Sequence, residues 1–295
     1  MFQIHKTLST NALPGFMALC FLLSWGSVVF FVGGMKNFPA HPDQTEKQLP
    51  FIVAATLLGP SIAGMIFSLI KFGVNGTCRH LRERMVWNPS HLAFFFFAPA
   101  IVSSVLCVLS ILVSAHEYKP AILTTTTAEG KLSLLALGLG YGAAAGIFEE
   151  IGWSFFVTPE LLNKLSPLET GITLGLIWGF WHFLVAFWGS GDANGNFSME
   201  EFLPWFPWNT IVLPLFRVFM VQVYCETNSI IPMIFMHASL TASLPFILMP
   251  RLSGVALASF YSLIAMALGS ILFCLSLVHR NEGIFVLATK NTKVA

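Results

Sequence analysis

Charge is what this sequence has least of. Asp, Glu, Lys and Arg make up only 10% of the 295 residues, where a soluble globular chain carries about 25%. That excludes an ordinary soluble enzyme, and it excludes a nucleic-acid partner, which would need a dense basic face. Cysteine is also sparse: Cys20, Cys78, Cys107, Cys225 and Cys274 show no Cys-x-x-Cys spacing, so neither a disulfide framework nor a zinc ribbon is available. Aspartate occurs only at Asp43 and Asp192, both in polar stretches. A pair of membrane-embedded aspartates is therefore absent, and no His-Glu-x-x-His string exists to carry a zincin site.

Apolar surface fills the space that charge leaves. Hydrophobic residues reach 56%, with 29 Phe and a mean hydropathy of +0.76. Crossing about 30 Å of hydrocarbon takes roughly 20 apolar residues, and eight such runs occur, at about 15–34, 50–74, 91–115, 131–158, 171–188, 207–225, 229–249 and 255–279. Their length and even apolarity suit helices rather than alternating barrel strands. The expectation is an all-α, polytopic integral membrane bundle of about eight helices, forming one membrane domain over 1–295.

The few basic residues set the orientation. With a cytoplasmic N-terminus the inner loops hold Lys6, Lys71, Arg79, Arg82, Arg84, Lys164, Arg280, Lys290 and Lys293, against Lys36, Lys47, Lys119, Lys131 and Arg251 outside. Both termini are thus expected in the cytoplasm. The cluster Arg79-His-Leu-Arg-Glu-Arg84 reads as an anchor in the loop after the second helix.

Ionisable groups inside a span cost several kcal/mol unless paired or hydrated, so each marks a candidate site. They are Glu149 and Glu150 on the fourth helix, His182 on the fifth, Arg217 on the sixth and His237 on the seventh. At about 1.5 Å per residue, Glu149 lies about 15 Å from the cytoplasmic end, His182 about 18 Å, and Arg217 and His237 about 12 Å each. Similar depth on four helices points to one shared polar cavity opening toward the cytoplasm. Gly138, Gly142 and Gly146 recur every fourth residue and lead in register to Glu150, a spacing that lets helix backbones approach closely. Which glutamate faces a neighbouring helix and which faces the cavity stays open at this level.

This set of groups suits hydrolysis of a peptide bond in the membrane. A carboxylate can act as general base toward water, a histidine can hold that water or move a proton, and a second histidine with a hydroxyl can donate to an oxyanion. Gly189-Ser-Gly-Asp192 matches a Gly-x-Gly-Asp string, but among Asn194, Asn196, Glu200 and Glu201 it reads as a chance loop. Ser239 lies two residues from His237 and faces another side of the helix, which makes a serine nucleophile weak. A transporter would be expected to show an inverted repeat or paired broken helices, and neither is detected.

The motif residues resemble a known family. Phe148-Glu-Glu-Ile-Gly-Trp-Ser154 followed by Pro159-Glu-Leu-Leu162 resembles the Glu-Glu-x-x-x-Arg motif of the CAAX protease and bacteriocin-processing (CPBP, or Abi) family. Trp178-Gly-Phe-Trp-His182 is similar to its Phe/Trp-x-x-x-His motif, and His237-Ala-Ser-Leu-Thr241 to its His-x-x-x-Asn motif. The resemblance covers roughly 130–245, which would be the catalytic core.

It implies an intramembrane glutamate endopeptidase acting on membrane-associated peptides or proteins: prenylated, bacteriocin or signal-peptide substrates. Glu149 would activate water with His182 as its partner, His237 and Thr241 would form the oxyanion side, and Glu150 and Trp178 would support them. No cofactor is implied, although Glu149, His182 and His237 also compose a possible zinc set of two histidines and a carboxylate. Two departures stand out: Ser154 replaces the motif arginine and Thr241 the asparagine. Thr241 keeps a donor hydroxyl, whereas Ser154 cannot neutralise a carboxylate, so Arg217 is expected to supply that charge to Glu150. Without such compensation the chain would be a degenerate member serving as a membrane scaffold or bacteriocin immunity protein.

Overall fold

The structure, a computed structural model, describes residues 12–113 and 118–280. Lys6, Lys290, Lys293 and the C-terminal tail used in the orientation argument lie outside the described residues. Every extended element described is helical, as the apolar runs require where no water is available to the backbone. The helices are α1 (Ala12–Val32), α2 (Pro42–Arg84), α3 (Phe97–Val113), α4 (Ala128–Glu150), α5 (Pro167–Trp188), α6 (Leu213–Thr227), α7 (Ile231–Thr241) and α8 (Gly254–Arg280).

Among the described residues, seven helical stretches are long and apolar enough to cross a membrane, and α7 with its continuation is the shorter eighth. The run expected at 229–249 therefore yields a span of reduced length. α7 buries Met233, Met236, His237, Ala238 and Leu240 against α4, α6, α3 and the 3₁₀ segment Pro89–Phe96 that precedes α3. A helix enclosed by protein has neighbours other than lipid to meet its apolar face.

The largest departure from expectation is in α2. It runs from Pro42 to Arg84, broken only at Gly73 (φ 66°, ψ 176°), so the basic cluster expected in a loop is helical. Hydropathy measures preference for lipid and does not end a helix. Residues 74–84 contain no proline, and Arg82 and Arg84 in the last turn complement the helix dipole. The positive φ at Gly73 is accessible because the residue lacks a Cβ.

Close packing follows the small residues. On α4, a Cβ at Gly142 would fall 2.3 Å from the Ala238 carbonyl oxygen and one at Gly146 2.6 Å from that of Ile234, so the glycine stripe lies against the backbone of α7. The opposite side meets α2, where a Cβ on Gly152 would come 2.6 Å from the Pro60 carbonyl oxygen. A second stripe, Gly171, Gly175 and Gly179 on α5, lies against Val218, Pro214 and Asn209 of the α6 region. Three stretches loosen into π-helix: Ile151–Val157 after α4, Trp208–Val212 before α6, and Ala242–Ile247 after α7. Beyond the first of these the chain regains α geometry over Thr158–Leu162. Such segments gather at functional sites in helical proteins, and the first of them follows Glu150 directly.

Candidate active site

The glycine stripe of α4 presses its C-terminal end against α7, and the next residue in register, Glu150, meets α7 at His237. The Nδ1 of His237 lies 2.7 Å from Glu150 Oε1. From α6, Arg217 donates through Nη1 to Glu150 Oε2 at 2.8 Å and through Nη2 to Oε1 at 3.1 Å, a two-pronged contact. Ser154, in the π-helical turn, donates its hydroxyl to Glu150 Oε2. Glu150 and Arg217 are wholly buried. A carboxylate so enclosed is tolerated because its oxygens are occupied by donors and its charge faces a guanidinium. The positive charge that Ser154 lacks thus reaches Glu150 from Arg217.

Glu149 points to a different neighbourhood. Its Oε2 accepts from Trp178 Nε1 at 2.8 Å and from Trp153 Nε1 at 3.3 Å. Its Oε1 lies 3.8 Å from His237 Nε2. Two indole donors thus fix one oxygen and leave the other facing an imidazole nitrogen. Trp178 also stacks beneath the Arg217 guanidinium at 4.3 Å and meets the His237 ring edge-on at 4.9 Å. Trp178 thus touches Glu149, Arg217 and His237 at once.

His182 stands beside this group rather than in it. Its Nδ1 is 2.8 Å from the Trp178 carbonyl oxygen, and because a carbonyl can only accept, Nδ1 carries the proton. The ring packs against Trp178 and Trp181, at 5.6 and 4.8 Å, and is half-buried. It makes no hydrogen bond or ion pair with Glu149, whose partners in those terms are the indoles and His237. Thr241, one turn beyond His237 and half-buried, makes no side-chain hydrogen bond to a described residue.

The centre is closed. Glu149 is 3% exposed and His237 2%, so the expected opening toward the cytoplasm is not seen at these two residues. An apolar cavity of about 450 Å³ does lie between α2 and α4, lined by Pro50, Leu57, Tyr141 and Phe148 among others, but it carries none of the ionisable residues. Asp192 stays in its loop, where Oδ1 accepts from the backbone N–H groups of Asn194 at 2.8 Å and Asn196 at 2.9 Å. These bonds hold its carboxyl below the usual aspartate range.

Sequence reasoning missed the part played by Trp153, which reaches Glu149 one turn away, and the glycine stripe of α5 that draws α6 in. The stripe's four-residue period is legible at Gly171, Gly175 and Gly179. The π-helical turn that carries Trp153 and Ser154 has no comparable signal.

A bundle of apolar helices that buries two adjacent glutamates, a histidine and an arginine at the meeting of α4, α5, α6 and α7 defines a polytopic membrane protein with an internal polar centre. Residues 131–243 match the family model described as type II CAAX prenyl endopeptidase Rce1-like. Less than half of the chain is covered, but the matched segment holds Glu149, Glu150, His182, Arg217, His237 and Thr241. It bears out, over that stretch, the resemblance to the CAAX protease and bacteriocin-processing family. No curated protein matches the chain.

Proposed function

We propose that this protein is an intramembrane endopeptidase in which Glu149 activates water for attack on a peptide bond. The observation that carries the reading is the facing pair Glu149 Oε1 and His237 Nε2, 3.8 Å apart. A water oxygen about 2.8 Å from each fits between them. With Nδ1 of His237 donating to Glu150, its Nε2 is the acceptor in the neutral ring, so both groups bind water through its hydrogens and leave the oxygen lone pair outward.

Glu149 takes the water proton as the oxygen bonds to the scissile carbonyl carbon, giving a tetrahedral oxyanion. The same proton passes to the amide nitrogen as the C–N bond breaks. The unengaged hydroxyl of Thr241 donates to the oxyanion, and His182 lies at the half-buried edge of the cluster. Glu150 does no chemistry: with Arg217 and Ser154 it fixes the ring and tautomer of His237. Substrate entry requires the closed centre to open.

The metal-free form of this mechanism is the one we favour. No group of three His, Cys, Asp or Glu among the described residues is disposed to hold a metal ion. Of the zinc set Glu149, His182 and His237, His237 Nε2 lies 3.8 Å from Glu149 Oε1, while His182 makes no hydrogen bond or ion pair with Glu149. The substrate is a membrane-associated peptide or protein, prenylated or a bacteriocin or signal peptide, approached from the cytoplasmic side, with both termini on that side.

The test compares membrane and secreted peptides, by mass spectrometry, in cells carrying the wild type, Glu149→Ala or His237→Ala. Cleavage products should vanish in both variants while the protein stays folded; loss of a general base alone costs about 10²- to 10⁴-fold. Retained cleavage in both rejects the mechanism. A second reading, a scaffold or immunity protein that binds a peptide without cutting it, is favoured by Thr241 standing where the motif has asparagine and by the closed centre. It predicts that Glu149→Ala leaves the peptide profile unchanged.

A further inference from the structure

The basic cluster at the end of α2 does more than face a membrane surface. Arg82 is exposed, but Arg84 turns inward and is 4% exposed. Among the described residues no carboxylate pairs with its guanidinium, and Nη1 is buried with no hydrogen-bond partner. The guanidinium stacks at 5.4 Å on the Tyr224 ring. An isolated buried cation is costly, and this one is held firmly. The Arg84 carbonyl accepts from Ile230 N–H at 2.8 Å, and two residues on Val86 accepts from the Ser229 hydroxyl at 2.9 Å.

Arg84 lines a cavity of about 160 Å³ shared by α2 and the end of the α4 span, with Lys71, His80, Phe155, Glu160 and Asn163. Lys71 is paired with Glu160, and His80 faces Glu83 at 3.8 Å. Among the described residues that line it, Arg84 is therefore the one positive charge without a carboxylate partner. With each water taking about 30 Å³, the space fits a single oxyanion and a bridging water or two. The walls contributed by Phe72, Phe155, Phe156 and Pro159 are apolar, and Arg84 stands at the very end of a membrane-crossing helix.

We infer that this cavity is a binding site for an anionic phosphate group, held by Arg84 and supplied by a lipid headgroup at the membrane surface or by free phosphate. The site is separate from the Glu149–Glu150 centre, and its failure would leave the proposed protease activity untouched. The test titrates the purified full-length protein with phosphatidylglycerol, phosphatidylcholine and inorganic phosphate, reading bound ligand by native mass spectrometry. Loss of charge-assisted hydrogen bonds worth about 1.5 kcal/mol lowers affinity about tenfold. Arg84→Gln should weaken phosphatidylglycerol or phosphate by that factor, while Arg82→Gln, on the exposed face, leaves both unchanged.

Arg84-dependent binding of phosphatidylglycerol that millimolar phosphate does not displace assigns the lipid. Arg84-dependent binding of inorganic phosphate alone assigns the soluble ion. If neither ligand depends on Arg84, or Arg82→Gln weakens binding as much, the site is refuted. Should Arg84→Gln fail to fold, Asn163→Trp at the exposed rim fills the pocket without touching the guanidinium, and unchanged binding in that variant overturns the proposal equally.

Discussion

Arg217→Leu isolates the electrostatic core of the bundle. The substitution removes both prongs on Glu150, at 2.8 and 3.1 Å, and leaves a wholly buried carboxylate with only the His237 ring and the Ser154 hydroxyl. Breaking one half of a buried pair costs about 3–5 kcal/mol; two surviving donors place the expected loss near the lower end. A change of that size lowers the unfolding midpoint by on the order of 10 °C, readable by tryptophan fluorescence in detergent. Ser154 already touches Glu150, so Ser154→Arg added to Arg217→Leu returns a guanidinium to the same carboxylate. The double variant should recover about half of the lost stability, because the stack of Arg217 on Trp178 at 4.3 Å, worth up to about 2 kcal/mol when buried, is not restored. If Arg217→Leu melts like the wild type, or the double variant is no more stable than the single, the pairing of Arg217 with Glu150 is not what holds this centre.

Three further outcomes follow from the same geometry. Gly179→Ala puts a methyl 1.8 Å from the Asn209 carbonyl oxygen and should destabilise by about 1–3 kcal/mol or more through forced separation of α5 from the α6 region, whereas Gly26→Ala, with nothing within 4 Å, should be neutral by the same melt. Purified active protein should carry no stoichiometric zinc and keep its cleavage rate after chelation; a rate lost to chelator and restored by zinc refutes the metal-free mechanism. Asp192 is held below its ordinary range by backbone donors, so its contribution to loop order is present above the unfolded aspartate value and is lost as pH falls through the folded one. Limited proteolysis of residues 190–198 should therefore accelerate on acidification, and Asp192→Asn should flatten that dependence.

What the sequence makes legible is set by which physics writes it locally. Hydropathy locates the helices because lipid solvation acts residue by residue. The scarcity of charge isolates Glu149, Glu150, Arg217 and His237, and the structure does bring those four together. The α4 glycine period points at Glu150 because close backbone approach needs a run of small residues along one face. The partner of each carboxylate is another matter: it depends on side-chain directions set by four packed helices, so Trp153 and Trp178 reaching Glu149, and His182 standing aside, are tertiary facts. The continuation of α2 past Gly73 was hidden for a simpler reason, since polar residues end a membrane span without ending a helix. That Arg84 turns into the protein is likewise a matter of side-chain direction, which hydropathy does not encode.

The π-helical turn after Glu150 has a structural corollary. Such a turn holds one residue more than an α turn, which sets everything beyond it back by about 100° around the axis. Glu149 and Glu150 therefore look toward α5, α6 and α7, while Phe155, Phe156 and Glu160 come round to α2 and the Arg84 cavity. One rod thereby acts as two rulers with different zero marks, each serving its own chamber. Deleting a single residue between 155 and 157 would bring the two scales into phase: the carboxylates would keep their neighbours, Trp153 and Ser154 included, and Glu160 would swing away from Lys71.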